Sequence, residues 1–521
     1  MNRFRIALIA LLLGLSHFAF AAPHPNIVLI MADDMGYSDL GSYGGEIETP
    51  NIDQLAAEGA RFREFYNASI CGPTRAALLT GLYNHQTGVH TWNGVRNNRC
   101  VNIGEALRRA GYRTMMVGKW TDTESPVHKG FDRAYGHLAQ KGPGNYFKLV
   151  NTAQHFLDGE PYTLPEDYFK TDANTDHAVE FLREAAPMDQ PFFLYVAYSA
   201  PHWPLHAREA DIAKYRQRYR DLGWDACREQ RLARQKEQGL FGETPPAPRD
   251  PAVAPWADAP HKDWEAERMA VYAAQIDCMD RNIGRILDTV REIGREDNTV
   301  VMFLSDNGAT QRNPGATGVN PDGSFYLDKP GKIWRADGTL TKPLAPGVMP
   351  GPADTFGGYG AEWAHVSNAP LRDYKATNYE GGILTPFIVK WPGAIANPGA
   401  ILDPVGHVID VMPTCLELAG AAYPESYPGR DLLPLEGQSL VPALRGEPWK
   451  RSAPLFWEYG GHRAARDGDW KIVAKTGAPW ELYNLRQDRA EQHDRAAEDP
   501  ERVRDLASRY ADWAARCGAT P

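Results

Sequence analysis

PNIVLIMADDMG, residues 25–36, decides the fold. Asn26 to Met31 is a run without polar alternation, so it offers no face to water and reads as a strand buried on both sides. It stops at Ala32-Asp33-Asp34-Met35-Gly36, which stands two carboxylates at its carboxyl end. The same design recurs outward from it. NIDQLAAE (51–58) has helical spacing and a glycine stop at Gly59, and NIGEALRRAGY (102–112) leads into the strand-like RTMMVGKW (113–120). DHAVEFLREA (176–185) leads into PFFLYVAYSAPH (191–202). A long helix from Asp263 to Gly294 leads into NTVVMFLSDNG (298–308). GGILTPFIVKWPG (381–393) is a further strand and HVIDVMPTCLELAG (407–420) a further helix. This alternation predicts an α/β fold: a large mixed, mostly parallel sheet sandwiched by helices. Ligands of such sheets collect at the carboxyl ends of strands. Asp33-Asp34, Lys119, His202 and Asp306-Asn307 each fall at or just beyond one.

The chain of 521 residues is 43% hydrophobic and 23% charged, which excludes a disordered chain and a membrane bundle. Its net charge of -10 argues against general nucleic-acid binding, so an anionic substrate would need a local basic pocket. Arg3 and Arg5, the apolar stretch Ile6 to Leu15 and Ala19-Phe20-Ala21 form an export signal cut after Ala21. That stretch is too short to span a bilayer, and no later one is long enough, so no membrane partner is expected. The expected location is periplasmic or secreted. The expected division is 1–21 signal peptide, 22–445 catalytic domain, and 446–521 a smaller C-terminal domain with an antiparallel sheet and a helix. PLFWEYGGHRAARDGDWKIVA (454–474), PWELYNL (479–485) and DPERVRDLASRYADWAARCG (499–518) carry the last of these. Residues 310 to about 370, rich in Gly, Pro, Asn and Asp, read as an irregular excursion forming a pocket wall. The cysteines at 71, 100, 227, 278, 415 and 517 show no C-x-x-C spacing and no pairing pattern.

Two adjacent carboxylates at the end of a buried strand repel each other and are costly to desolvate without a cation. Asp306-Asn307-Gly308 adds a carboxylate and an amide oxygen at another strand end. Either pair alone reads as a turn. Both in one sheet favour a divalent cation, and an all-oxygen set suits calcium or magnesium over zinc. Arg75, Lys119 and Lys375 occupy loop or strand-end positions, and cations beside a metal make an anion site, although local context alone does not single out Lys375. His202, in APHWP (200–204), has an ordinary pKa suited to proton donation to a leaving oxygen. Cys71, in SICGPTRAALLTG (69–81), stands beside Arg75 at a helix start. It could be a nucleophile, a metal ligand, a disulfide half or a core residue, but an exported thiol beside a metal is a poor long-lived nucleophile.

Cys71-Gly72-Pro73-Thr74-Arg75 matches the C-x-P-x-R core of the type I sulfatases of the alkaline-phosphatase superfamily, and the chain resembles that family over nearly its whole mature length. The other marks are PNIVLIMADDMGYSDLGSYGG, TMMVGKW, APHWP, SDNG, YKATNYEGGILTPFIV and PWELYNL. The resemblance implies that a sulfatase-maturing enzyme, a transient partner, oxidises Cys71 to Cα-formylglycine, whose hydrate is the nucleophile. It implies one calcium ion held by Asp33, Asp34, Asp306 and Asn307. That ion and Arg75 would stabilise the charged form of residue 71, which places position 71 among the ligands too. Lys119 and Lys375 would grip sulfate oxygens, and His202 would protonate the departing oxygen. The implied reaction is hydrolysis of a small-molecule or glycan sulfate ester. One departure stands out: the family's Gly-Lys-Trp-His is Gly-Lys-Trp-Thr here, with Thr121 where a histidine assists turnover. Asp122, His85, His90 and His128 are candidates to replace it. The competing readings are a phosphoesterase or phosphonate hydrolase of the same superfamily, and a non-catalytic sulfated-glycan-binding homologue.

Overall fold

The computed structural model describes residues 24–91, 96–139, 145–148, 154–242, 245–313 and 342–520. The expected export signal (1–21) and the middle of the expected excursion (314–341) lie outside the described residues. Among those described, no helix is long and apolar enough to cross a membrane.

The strand predicted from residues 26–31 runs Asn26–Asp33, and every residue of it is buried. It occupies the middle of a ten-stranded sheet. It is flanked in parallel by Phe192–Pro201 on one side and Thr299–Ser305 on the other. Arg113–Trp120 and Arg133–Leu138 extend the parallel set. The margins are not parallel throughout. Phe387–Lys390 runs antiparallel to both Thr299–Ser305 and Ala60–Phe62, and His155–Leu157 and Glu160–Pro161 close the other edge antiparallel. The sheet is thus mixed and mostly parallel.

Helices cover it in two groups. Lys170–Ala185 and Lys262–Glu292 pack on Phe192–Pro201, with Glu209–Glu237 laid outside the latter. Cys71–Thr80, Ile103–Arg109 and Val411–Leu418 pack on one another, and Ile103–Arg109 also packs on Arg113–Trp120. The helical segment Glu209–Glu237, two helices broken at Gly223 (φ 62°), was not among the sequence expectations. Its first part buries Ile212, Tyr215 and Tyr219, whereas beyond the break its buried Arg231 pairs with Asp39 and Glu46 instead of continuing that stripe. The expected irregular excursion also contains a helix, Gly360–Ser367.

Register positions the functional end. Asp33 lies opposite Pro201, and Ala32 lies opposite Ser305. One residue further along each strand, the chain leaves the sheet at His202, Asp34 and Asp306. Gly118 is required for this alignment, because a Cβ there would sit 2.0 Å from the carbonyl oxygen of Ala197 at a φ of 103°.

A second, four-stranded antiparallel sheet joins Leu455–Tyr459, His462–Asp467, Trp470–Ala474 and Glu481–Asn484 in chain order. The helix Pro500–Cys517 packs on its middle strands. A buried charge cluster ties this sheet to the segment that follows Lys375. The fully buried Lys471 ammonium sits 2.7 Å from Glu380 and 2.8 Å from Glu491. Tyr66 Oη donates to Glu380 at 2.7 Å, and the backbone N–H of Glu380 donates to Glu491. Removing the one cation would leave two carboxylates buried together. Lys471→Met is therefore expected to destabilise the protein by about 3–5 kcal/mol, read as a loss of denaturation midpoint in urea.

Candidate functional site

Successive side chains of a strand point to opposite faces. Asp33 and Asp34 escape that rule because Asp34 takes a left-handed φ of 66° as the chain leaves the sheet. Their carboxylates converge with His202 closely enough that one ligand atom from each lies within 4.8 Å of the others. Asp306 and Asn307 arrive from the neighbouring strand end. The Asp34 N–H donates to Asp306 Oδ1 at 3.2 Å, and Asn307 Nδ2 donates to Asp34 Oδ1 at 2.7 Å. Gly308 must follow, since a Cβ there would lie 1.8 Å from the carbonyl oxygen of Gly381.

Cys71 opens its helix, so the partial positive charge of the first turn surrounds it. Pro73 and Thr74 fix that turn: Thr74 Oγ1 accepts the Ala68 N–H at 2.9 Å, and the Thr74 N–H reaches Ile70 O. One turn on, Arg75 is fully buried and forks both Nε (3.0 Å) and Nη2 (2.8 Å) onto Asp306 Oδ2, with Asp33 Oδ2 at 3.5 Å. Lys119, from the end of its strand, meets Asp33 Oδ2 at 2.5 Å. Lys375 pairs with Asp34 Oδ1. Its backbone is held by Ala309 O, and the next residue, Ala376, donates to Ser69 O while in the left-handed region at φ 70°.

All nine sequence-predicted site residues therefore meet: Asp33, Asp34, Cys71, Arg75, Lys119, His202, Asp306, Asn307 and Lys375. Sequence reasoning missed several supporting groups. Tyr195 Oη lies 3.4 Å from Arg75, Ser305 Oγ receives the Met35 N–H, and Tyr272 Oη donates to the Asp34 carbonyl. Tyr195 and Tyr272 are strand and helix positions without a motif that only the fold brings in, whereas Ser305 stands in SDNG and was given no role of its own.

The charge pattern follows from burial. Desolvation alone would raise the Asp33 pKa, but the Lys119, His202 and Arg75 charges outweigh it and hold the carboxyl below the usual carboxylate range. Asp306 goes the other way, raised by burial and by the Asp33 charge despite Arg75. Burial opposes the charged form of Lys119, yet Asp33 reverses the balance and raises its pKa, and Asp34 does the same for Lys375. His202 departs from its sequence expectation: burial lowers it to about 4, although Asp34 and Asp33 pull upward. At neutral pH the free protein holds a neutral imidazole there. With Nδ1 2.5 Å from the Trp203 carbonyl, the ring proton resides on Nδ1 and Nε2 faces Asp34 Oδ2 at 3.6 Å.

The donor set fits a hard cation. Asp33 Oδ1, Asp34 Oδ2 and Asn307 Oδ1 are buried oxygens without a hydrogen-bond partner. Three such oxygens are costly to bury together unless a cation satisfies them. A separate cavity of 290 Å³, lined by Asn51, Gly284 and Lys390 among others, opens beside Thr299 at the opposite end of the strands and contains none of these residues.

Comparison with known proteins places these observations in context. A family model described as Sulfatase matches residues 25–421, and one described as N-sulphoglucosamine sulphohydrolase, C-terminal, matches residues 373–509. An uncharacterized sulfatase of Schizosaccharomyces pombe is 34% identical, covering 95% of this chain and 94% of its own. An arylsulfatase of Klebsiella aerogenes is 33% identical, covering 83% of this chain and 95% of its own. The crystal structure of Ps i-CgsB in complex with k-i-k-neocarrahexaose superposes with a TM-score of 0.67 at 26% identity, covering 94% of this chain and 93% of that one.

The depressed His202 has a stability consequence. Its folded pKa of about 4 lies below the ordinary 6.5, so the unfolded chain binds the proton first as pH falls. Its contribution is present above pH 6.5 and is lost as pH falls toward 4, by about 3 kcal/mol in total. Urea midpoints measured across that range in chelator are expected to fall less steeply for His202→Gln than for the wild type.

Proposed function

We propose, for a chain that belongs to the sulfatase family and is a sulfuric ester hydrolase, that Cys71 is the precursor of the nucleophile and that Asp33, Asp34, Asp306 and Asn307 hold one calcium ion. What carries the reading is a single juxtaposition: three partnerless buried oxygens beside a cysteine at a helix N-terminus, with Arg75 locked between them. Bound there, calcium would supply Lewis-acid charge to the sulfate, and residue 71, as a hydrated formylglycine, would supply the attacking hydroxyl.

The chain's own residues then take these parts. Arg75 fixes Asp306 and keeps a permanent positive charge behind residue 71. Lys119 and Lys375 are the mobile cations of the site: each now balances a carboxylate, and each can turn its ammonium to the oxygens of an anionic ester. His202 is neutral before substrate arrives. The charge of the bound sulfate raises its affinity for a proton, and Nε2 passes that proton to the departing alkoxide or phenoxide. Trp203 lies 4.5 Å from the His202 ring and 5.5 Å from Phe356, forming an apolar wall for the leaving group. The Ps i-CgsB complex holds a saccharide, and on that likeness we read the leaving alcohol as a sugar hydroxyl. Export after cleavage at Ala21, a transient encounter with a maturing enzyme, and division into 22–445 and 446–521 belong to the same reading.

The Thr121 departure narrows the choice of assisting base. Asp122 is buried and held by Arg96 at 2.8 Å, and His85 is held by Glu458 at 2.7 Å. His128 is exposed on a short helical turn, and His90 is exposed against the His85 ring. Peptide mass spectrometry of protein made with maturing enzyme is expected to show an aldehyde at residue 71. Cys71→Ala is expected to lose sulfate release by at least about a thousand-fold. A thiol at residue 71 in active protein, or faster release from the phosphate ester of the same phenol, would overturn the proposal. Single replacements of Asp122, His85, His90 and His128 are each expected to leave the first turnover intact. The one that slows only the steady state marks the assisting base; if none does, no substitute base operates among the four.

A further inference from the structure

The rim of the site contains a cation and a phenol that the reaction at sulfur does not use. The segment that delivers Asp306 and Asn307 continues outward. Ala309 O accepts the Lys375 N–H at 3.0 Å, and three residues later Arg312 is exposed. Among the described residues its guanidinium makes no ion pair and no hydrogen bond. Its backbone is nonetheless placed: Asn313 Oδ1 accepts the Gly358 N–H at 3.1 Å, anchoring the turn beside the strand that carries Phe356.

The C-terminal sheet reaches the same rim. Tyr459 and His462 pair across the turn at Gly460-Gly461. The His462 carbonyl accepts Asn378 Nδ2 at 2.9 Å, and Asn378 Oδ1 accepts Ser69 Oγ at 2.5 Å, two residues before Cys71. Trp457 Nε1 donates to Asn67 O at 2.7 Å, seating the same strand on the segment that leads into the cysteine helix. Tyr459 is thereby half-buried, and its hydroxyl lies within electrostatic reach of Arg312, Cys71 and Lys375. Glu458 also lies within electrostatic reach of the Tyr459 hydroxyl, but its oxygens are paired with His85 and the Gly461 N–H and make no ion pair with Arg312.

We infer that Arg312 and Tyr459 form a leaving-group subsite that selects sulfate esters whose alcohol carries a second anionic group, a carboxylate or another sulfate. The inference rests on the sulfatase reading above and deepens it. Lys119 and Lys375 serve the reacting sulfate, whereas Arg312 is a separate free cation on an otherwise acidic protein. The Trp203–Phe356 wall would take the ring of the leaving group, the Tyr459 hydroxyl would donate to its anion, and the guanidinium would pair with it.

The test uses full-length protein produced with the maturing enzyme and two esters whose leaving phenols have matched acidity: 3-sulfooxyphenylacetate and its primary amide. At low ionic strength the wild type is expected to favour the carboxylate in kcat/KM by about five-fold, the worth of one partly exposed ion pair. Salt is expected to shrink that ratio. Arg312→Gln is expected to bring the ratio close to one, and Arg312→Glu to invert it. Tyr459→Phe is expected to reduce it while retaining the ring. A wild-type ratio near one, or one unchanged in Arg312→Glu, overturns the subsite while leaving sulfate hydrolysis standing. Sulfate release from neither ester overturns the hydrolase reading and this inference with it. Arg312 is exposed, so its variants are not expected to fail in folding.

Discussion

Three carboxylates buried at adjoining strand ends cannot coexist without positive charge among them. That electrostatic demand organises the end of the sheet where the candidate site lies. Asp33, Asp34 and Asp306 are each fully buried, and Arg75, Lys119 and Lys375 each reach one of them. The cations come from a helix, a strand end and a loop that are distant in sequence, so every element of the site is held by the same balance. Of the three, Arg75 is the fixed one, bound through two nitrogens to a single carboxylate oxygen. The lysines are held by one contact each on long flexible stems, which suits them to exchange a protein carboxylate for a substrate oxyanion.

The same balance explains why oxygens remain unsatisfied. Each carboxylate presents one oxygen to a cation of the chain, while Asp33 Oδ1, Asp34 Oδ2 and Asn307 Oδ1 have no hydrogen bond. Burying polar atoms without partners costs stability, and at these three oxygens a hard cation would remove that cost. The left-handed backbone at Asp34, Ser69 and Ala376 falls in the same three segments. Left-handed backbone and orphaned polar atoms thus coincide at the site, although each also occurs elsewhere in the fold.

The C-terminal sheet is more than an attachment. Its Lys471 neutralises Glu380, five residues beyond Lys375, and its first hairpin is pinned to Ser69 through Asn378. The sheet therefore braces two segments of the site, and it contributes Tyr459 to the rim. An enzyme that uses one centre for sulfate and another surface for the alcohol needs such a division, because the sulfate is the same in every substrate and only the leaving group differs.

The sequence alone determined the mostly parallel sheet, because buried strands such as Asn26 to Met31 must be apolar at every position. It also pointed to the nine residues that the fold brings together, because short motifs at strand ends and the resemblance they carry single them out; Lys375 was legible through the resemblance alone. It did not determine the antiparallel margins, where strands of two to four residues leave too short a pattern to read. Nor did it determine the helical segment Glu209–Glu237, whose apolar spacing at Ile212, Tyr215 and Tyr219 is interrupted by the break at Gly223 and gives way to the buried polar Arg231 and Gln235. Tertiary structure decided the neutral state of His202, since burial is a property of what surrounds a ring and not of its neighbours in the chain. It likewise decided that Arg312 and Tyr459, separated by nearly one hundred and fifty positions (~150) and marked by no motif, stand at one rim, because only the docking of one sheet on another's loops brings them there.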